Sequence, residues 1–308
     1  MRAIAIKEYG GPEVMDFVDV ADPKVGPDSV LVRVVAAGVN PVDSKIRQGG
    51  LDPAFDSYFP LVPGWDVAGI VEQIGPAVSE FAVGDEVVGY VRKDHIQYGT
   101  YAELVSCPVR TLARRPTAVG YEAAAALPLA GLTAYQALAK ALHVSEGDTV
   151  LVHAAAGGVG SLAVQLARLF GARVIGTASE RNHDYLTELG ALPVSYGEGL
   201  VERVRSLAPD GVSAVFDLVG GEALETTPQL LRAGGRVASV LEPARVAEFG
   251  GNYVFVRPDP TDLSALVRYV DEGLLRIPVA RTFALPDAAE AHRSIESGHV
   301  NGKLVLTV

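Results

Sequence analysis

The chain has 308 residues, 49% of them hydrophobic and 20% charged, a balance that excludes bulk disorder and suits a globular protein of two domains. Its 26 Lys and Arg against 37 Asp and Glu leave a net charge of -11, so the footprint of a nucleic-acid or anionic-membrane binder is missing and an anionic ligand needs a local positive site. No apolar run reaches the roughly 20 residues of a membrane span, and the N-terminus MRAIAIKEYGG carries charges where a signal peptide needs an apolar stretch, so a cytoplasmic location is expected. The lone Cys107 cannot form an intrachain disulfide or supply a zinc site built on two or more thiolates.

Along the first ~120 residues, short apolar runs are cut by Gly and Pro: RAIAIKEYG, SVLVRVVAAGVNP, DVAGIVEQIGP, GDEVVGYV and GTYAELVSC. This spacing predicts an all-β, barrel-like domain with a short helix near VDSKIRQG. Within it, PGWDVAG (63 to 69) sets the only tryptophan, Trp65, beside Asp66 in a Pro-Gly turn, which holds both at a fixed place. From about Tyr121 the segment EAAAALPLAGLTAYQALAKALHV has helical period. Beyond it strands and helices alternate: TVLVH (149 to 153), RVIGTA (173 to 178), PVSY (193 to 196), AVFDLV (214 to 219), GRVASV (235 to 240) and NYVFV (252 to 256). Six such strands predict an α/β doubly wound parallel sheet. The tail, RTFAL then PDAAEAHRSIESG then KLVLTV, returns to strand, helix and strand and is expected to rejoin the first domain.

After the strand TVLVH, residues Ala155, Gly157 and Gly160 occupy the three places of a G-x-G-x-x-G element, with alanine at the first. A strand, a glycine turn and a helix in that order let backbone N–H groups and the helix N-terminus face a pyrophosphate. The turn Ala156, Gly157, Gly158, Val159 and Gly160 is therefore the expected cradle of a dinucleotide. At the end of the second strand, where an acid would take the ribose hydroxyls of NAD, the chain reads GTASERN. Ala178 holds the acid's place, and Ser179 and Arg181 offer a hydroxyl and a guanidinium suited to a 2′-phosphate. NADPH is expected over NADH, with Tyr196 at the end of the third strand as a further contact and Glu180 as the feature opposing that choice.

These segments resemble the medium-chain dehydrogenase/reductases, and within them the zinc-free quinone oxidoreductases and enone oxidoreductases. The segments AAGVNPVDSKIRQG (36 to 49), PGWDVAGIVEQIG (63 to 75), GDEVVGY (84 to 90), GTYAEL (99 to 104), AAALPLAGLTAYQAL (124 to 138) and VHAAAGGVGSLAVQLA (152 to 167) follow the family's order and spacing. The resemblance implies a GroES-like catalytic domain from residues 1–122 and 276–308, a Rossmann NADPH-binding domain from 123–275, and an active site in the cleft between them. In the zinc-dependent members the PGWDVAG turn carries Gly-His-Glu, and a cysteine stands where this chain has Asn40. Here Trp65 and Asn40 replace two zinc ligands, so no metal is expected. His95, His143, His153, His183, His292 and His299 show no metal-ligand spacing and read as ordinary surface or packing histidines.

Without a Lewis acid, reduction of a conjugated acceptor is favoured over alcohol oxidation, because the negative charge spreads over an enolate or quinol and hydrogen-bond donors suffice to stabilise it. The resemblance points to Asn40, beside the cofactor, and Lys45 as the catalytic residues, and the NPVD-x-K pattern around Lys45 favours enones over quinones. Asp43 caps a helix or holds Lys45 as readily as it does chemistry. The same resemblance places Thr133 near the nicotinamide ribose, although a Thr opening a helix could merely cap it. It also places Phe255, Val256, Asn301, Gly302 and Lys303 along the cofactor cleft. A homodimer joined near NYVFV is implied. One-electron quinone reduction and a non-catalytic NADPH-binding role stay open as alternatives.

Overall fold

The computed structural model describes residues 1–308, and the chain divides into two units: residues 1–129 with 258–308, and residues 130–257. The divisions lie at Leu129/Ala130 and Arg257/Pro258, where the sequence placed them after 122 and 275. The second difference has a physical cause. The helix Pro260–Asp271 packs on the strand Leu112–Arg114 of the first unit, and the Asp271 carboxylate accepts from the Thr117 N–H at 2.7 Å and the Ala118 N–H at 2.9 Å.

The first unit is built on a seven-stranded sheet whose order runs Val279–Ala284, Lys303–Thr307, Ser29–Val39, Asp66–Ile74, Glu86–Tyr90 and Leu112–Arg114, with Leu104–Pro108 also pairing on Ser29–Val39. The tail therefore rejoins this unit as expected. Its last strand runs antiparallel to the long central one, Leu304 opposite Val39, while Ala36 of the central strand faces Ala68. That register brings three strand ends together: Asn40 just after one, Asp66 and Lys303 opening the others. The short helix Pro41–Arg47 follows Asn40 directly, with Pro41 at its first position, where a missing N–H costs nothing. Val30, Val32 and Val34 of the central strand and, past a register shift, Ala37 and Val39 pack against Ile4, Tyr101, Leu285 and Leu306 to form the core.

The second unit is a six-stranded parallel sheet, Thr149–Val152, Arg173–Ala178, Leu192–Ser195, Val212–Asp217, Leu231–Ser239 and Asn252–Tyr253 in chain order. In space the order is third, second, first, fourth, fifth, sixth, the doubly wound arrangement whose switch point lies between the first and fourth strands. Leu151, Ile175, Val215 and Val237 of four neighbouring strands share one core. The Ala/Leu-rich segment before it is not one helix: Pro128 separates Tyr121–Ala125 from Pro128–Tyr135, and Gln136–Ala141 widens into a π turn.

Candidate active site

The glycine turn sits where the doubly wound sheet needs it. The Ala155 N–H donates to the Thr177 carbonyl at 2.9 Å, Gly157 is the N-cap of the twelve-residue helix Gly158–Leu169, and the turn lies at the switch-point strand's C-terminal end. A Cβ on Gly160 would stand 2.3 Å from the Ala154 carbonyl oxygen and 2.7 Å from Ala155 Cα, so only glycine lets the helix approach the turn this closely. Ala155, at the first glycine's place, is fully buried, and the left-handed conformation the turn requires falls on its neighbour Ala154 at φ 48°. The alanine at 155 is tolerated for that reason. This cradle, with its helix N-terminus open, fits a pyrophosphate.

Beside it, Ala178 and Ser195 are paired at the ends of the second and third strands, so Ser179 and Tyr196 follow at the same level. Ser179 is half-buried and its hydroxyl accepts from Asn182 Nδ2 at 3.2 Å. Arg181 is exposed with no carboxylate paired to it, and Tyr196 is 64% exposed. Below this rim, Asp217 is fully buried and accepts from the Val219 and Gly220 N–H groups, each at 3.1 Å, and from the Ser239 hydroxyl at 2.5 Å. Thr133 lies in the last turn of Pro128–Tyr135 and is buried, so it does not open a helix. Phe255 and Val256 follow the last strand, with Phe255 44% exposed, and the segment is pinned by Gln136, whose side chain exchanges hydrogen bonds with the Arg257 backbone at 3.0 and 3.1 Å.

In the first unit, the strand ends hold a buried polar network. Asn40 is 1% exposed; its Nδ2 donates to Asp66 Oδ2 at 2.9 Å, and its Oδ1 accepts from the Lys303 ammonium. Lys303 also donates to the Val39 carbonyl at 3.0 Å and stands 3.9 Å from Asp66. Its ammonium thus faces inward, while its neighbours Asn301 and Gly302 lie exposed and buried respectively. Asp43, at the third position of the helix, accepts from the Asn40 N–H at 2.8 Å and from the Tyr101 hydroxyl at 3.1 Å, so it caps its helix and does not hold Lys45. Burial pushes Asp43 up to about 7, against the pull of the Asn40 N–H, and Asp66 up to about 6, against the pull of Lys303. Lys45 points outward from the same helix, exposed and paired with no carboxylate.

The network runs on to residues the sequence did not single out. His292 Nδ1 lies 3.1 Å from Arg47 Nη1, and Arg47 reaches Glu296 at 2.5 Å. A guanidinium only donates, so Nδ1 is the acceptor and Nε2 carries the proton toward the Tyr101 hydroxyl at 3.3 Å. Burial first, and the Arg47 charge second, push His292 down to about 3. Below the unfolded value of about 6.5 the unfolded chain binds a proton that the folded one refuses, so His292's contribution to stability is lost as pH falls from there toward 3. His292→Gln is expected to flatten the decline in melting temperature between pH 6.5 and 4.5; parallel curves for variant and wild type would refute this.

Two family models match the chain: an alcohol dehydrogenase GroES-like domain over residues 26–117 and a zinc-binding dehydrogenase over 189–306. An NADPH-dependent alkenal/one oxidoreductase of Arabidopsis thaliana chloroplasts is 34% identical over 99% of this chain and 79% of its own length. The quinone oxidoreductase structure from Coxiella burnetii is 36% identical at a TM-score of 0.90, covering 100% of this chain and 99% of its own. A structure of an NAD-dependent alcohol dehydrogenase matches equally, at 36% identity and TM-score 0.90 over the whole of both chains. The chain belongs to the medium-chain dehydrogenase/reductases, in their zinc-free group.

No group of three or more His, Cys, Asp or Glu side chains that could hold a metal ion comes together in this chain. Trp65 fills its turn as an apolar wall: it is 5% exposed, edge-on to Tyr90 with centroids 5.9 Å apart and 6.0 Å from Phe55. Gly64 permits that turn with φ 93°, and a Cβ there would strike Tyr101 at 2.3 Å. The remaining thiol is out of reach of chemistry: Cys107 is fully buried in the core and burial pushes it up to about 12. A thiol reagent should label it only after denaturation, and fast stoichiometric labelling of the native protein would contradict the buried placement.

Proposed function

We propose that the protein is an NADPH-dependent, zinc-independent reductase of conjugated acceptors, α,β-unsaturated carbonyls first and quinones second. The observation carrying this reading is the pair on one short helix: Asn40 opens it with one amide hydrogen uncommitted, and Lys45 projects from it with no carboxylate partner. NADPH, when bound, supplies the hydride. Ala156, Gly157, Gly158, Val159 and Gly160 hold its pyrophosphate, Ser179, Arg181 and Tyr196 its adenosine end, and Thr133, Phe255, Val256, Asn301 and Gly302 border the nicotinamide half. Lys45 takes the negative charge that develops on the carbonyl oxygen of the acceptor, Asn40 orients the reacting groups, and the α-carbon takes its proton from solvent. The alkenal/one oxidoreductase and quinone oxidoreductase relatives support this acceptor class.

A cytoplasmic homodimer completes the proposal. No helix is long and apolar enough to cross a membrane, and the strand Asn252–Tyr253 stands at the edge of its sheet with Tyr253 41% exposed. A panel of enones and quinones, followed by loss of reduced-nicotinamide absorbance, tests the reading. Turnover greatest with enones is expected. Tight NADPH binding with no turnover of any acceptor would make this a binding protein, and semiquinone signals in electron paramagnetic resonance would replace hydride transfer with one-electron chemistry.

A further inference from the structure

We infer that Lys303 is a positioning residue that locks and polarises the Asn40 amide from inside the sheet, rather than a cofactor ligand. The inference rests on the proposed role of Asn40 in the reaction.

The register forces the meeting. Leu304 pairs with Val39, so Lys303, one step earlier, is level with Asn40. Its ammonium donates to the Val39 carbonyl at 3.0 Å and to Asn40 Oδ1 and stands 3.9 Å from Asp66, so it is committed to partners within the sheet. An ammonium has no acceptor, so the atom of Asn40 that faces it is oxygen; the nitrogen is then the atom on Asp66 Oδ2 at 2.9 Å. Flipping the amide would set NH₂ against NH₃⁺ and a carbonyl against a carboxylate. Asp66 cannot swing away either, because its other oxygen accepts from the Leu129 N–H at 2.9 Å. One amide hydrogen of Asn40 is thus spent on Asp66, and the second has no acceptor and is left for a ligand.

The cation does a second thing. An ammonium on an amide oxygen draws electron density from the nitrogen, which makes the remaining N–H a stronger donor, and low local dielectric enlarges the effect. A purely structural lysine would neutralise Asp66 and Asp43 without affecting that hydrogen. The two roles separate experimentally because the chain has only four asparagines, at 40, 182, 252 and 301.

The test begins without cofactor. Asparagine-selective nitrogen-15 labelling shows the side-chain NH₂ pairs, and the pair that vanishes in Asn40→Ala belongs to Asn40. In wild type its two protons should be widely split and exchange slowly. In Lys303→Met, and in Lys303→Gln if that variant fails to fold, they should move toward the shifts of the exposed asparagines. In kinetics, Lys303→Met should lower kcat by about tenfold or more with the KM for NADPH little changed. On an Asn40→Ala background the same substitution should add less than about twofold, because residues acting as one unit are not additive. An unshifted Asn40 pair, or a full additional loss on that background, overturns the inference. If the pair shifts while Asn40→Ala keeps wild-type kcat, the hold on the amide stands and the proposed role of Asn40 in the reaction falls.

Discussion

Lys45→Ala should lower kcat for an α,β-unsaturated ketone by on the order of a hundredfold or more, the usual loss when one donor to a developing oxyanion is removed. Hydride arriving at the β-carbon sends charge to the oxygen at the far end of the conjugated system, and a cation aimed there acts mainly in the transition state, so kcat suffers more than substrate KM. Affinity for NADPH should change little. Quinones should lose less, because their reduced form is aromatic and needs less help. The structure leaves Lys45 available for this: it is exposed on the Pro41–Arg47 helix and no carboxylate competes for it. The helix itself is fixed by Asp43 at its N-terminus and by Arg47, buried against His292 and Glu296, so the lysine projects from a rigid base. Unchanged kcat in Lys45→Ala would reduce it to a surface charge.

The second large effect concerns cofactor choice. Arg181→Ala should weaken NADPH binding by roughly ten- to a hundredfold, since a hydrogen bond to a charged group contributes about 1.5 to 3 kcal/mol, and NADH should be nearly unaffected. The place normally held by an acid is Ala178, buried at the end of its strand, and Arg181 extends into solvent unpaired three residues on. Ser179 beside it offers a hydroxyl. Titration of both cofactors against wild type and variant decides the matter: equal losses would place Arg181 away from the 2′-phosphate. A wild-type preference for NADH would instead align this chain with the NAD-dependent alcohol dehydrogenase it matches in structure.

The cofactor half was legible because its signals are local. A strand, a glycine turn and a helix follow one another within about twenty residues, and the six strands alternate with helices along the chain. Even the alanine at the first glycine's place could be read through, since the steric demand falls on Gly160 and the left-handed residue is Ala154. The catalytic half was legible only in part. Asn40 and Asp43 sit in one short segment, but their partners arrive from far away: Asp66 by way of a neighbouring strand, Tyr101 from a loop, and Lys303 from the returning tail, which also brings His292 to Tyr101 and Arg47. Periodicity cannot report contacts between residues 40 and 303. Lys303 was placed along the cofactor cleft for that reason, whereas strand register turns its ammonium toward Asn40. The second unit's end was set too late because Pro260–Asp271 continues the alternation of strands and helices, and only packing assigns it to the first unit.

We propose that hydride goes to a carbon–carbon double bond conjugated with a carbonyl, without a metal. The most direct measurement uses NADPH deuterated at the transferring position, the purified protein in the presence of a chelator, and an enone whose product is analysed by NMR. Deuterium is expected on the β-carbon of a saturated ketone, with turnover insensitive to the chelator. Deuterium on the carbonyl carbon of an allylic alcohol, or turnover lost on chelation and restored by zinc, would contradict it.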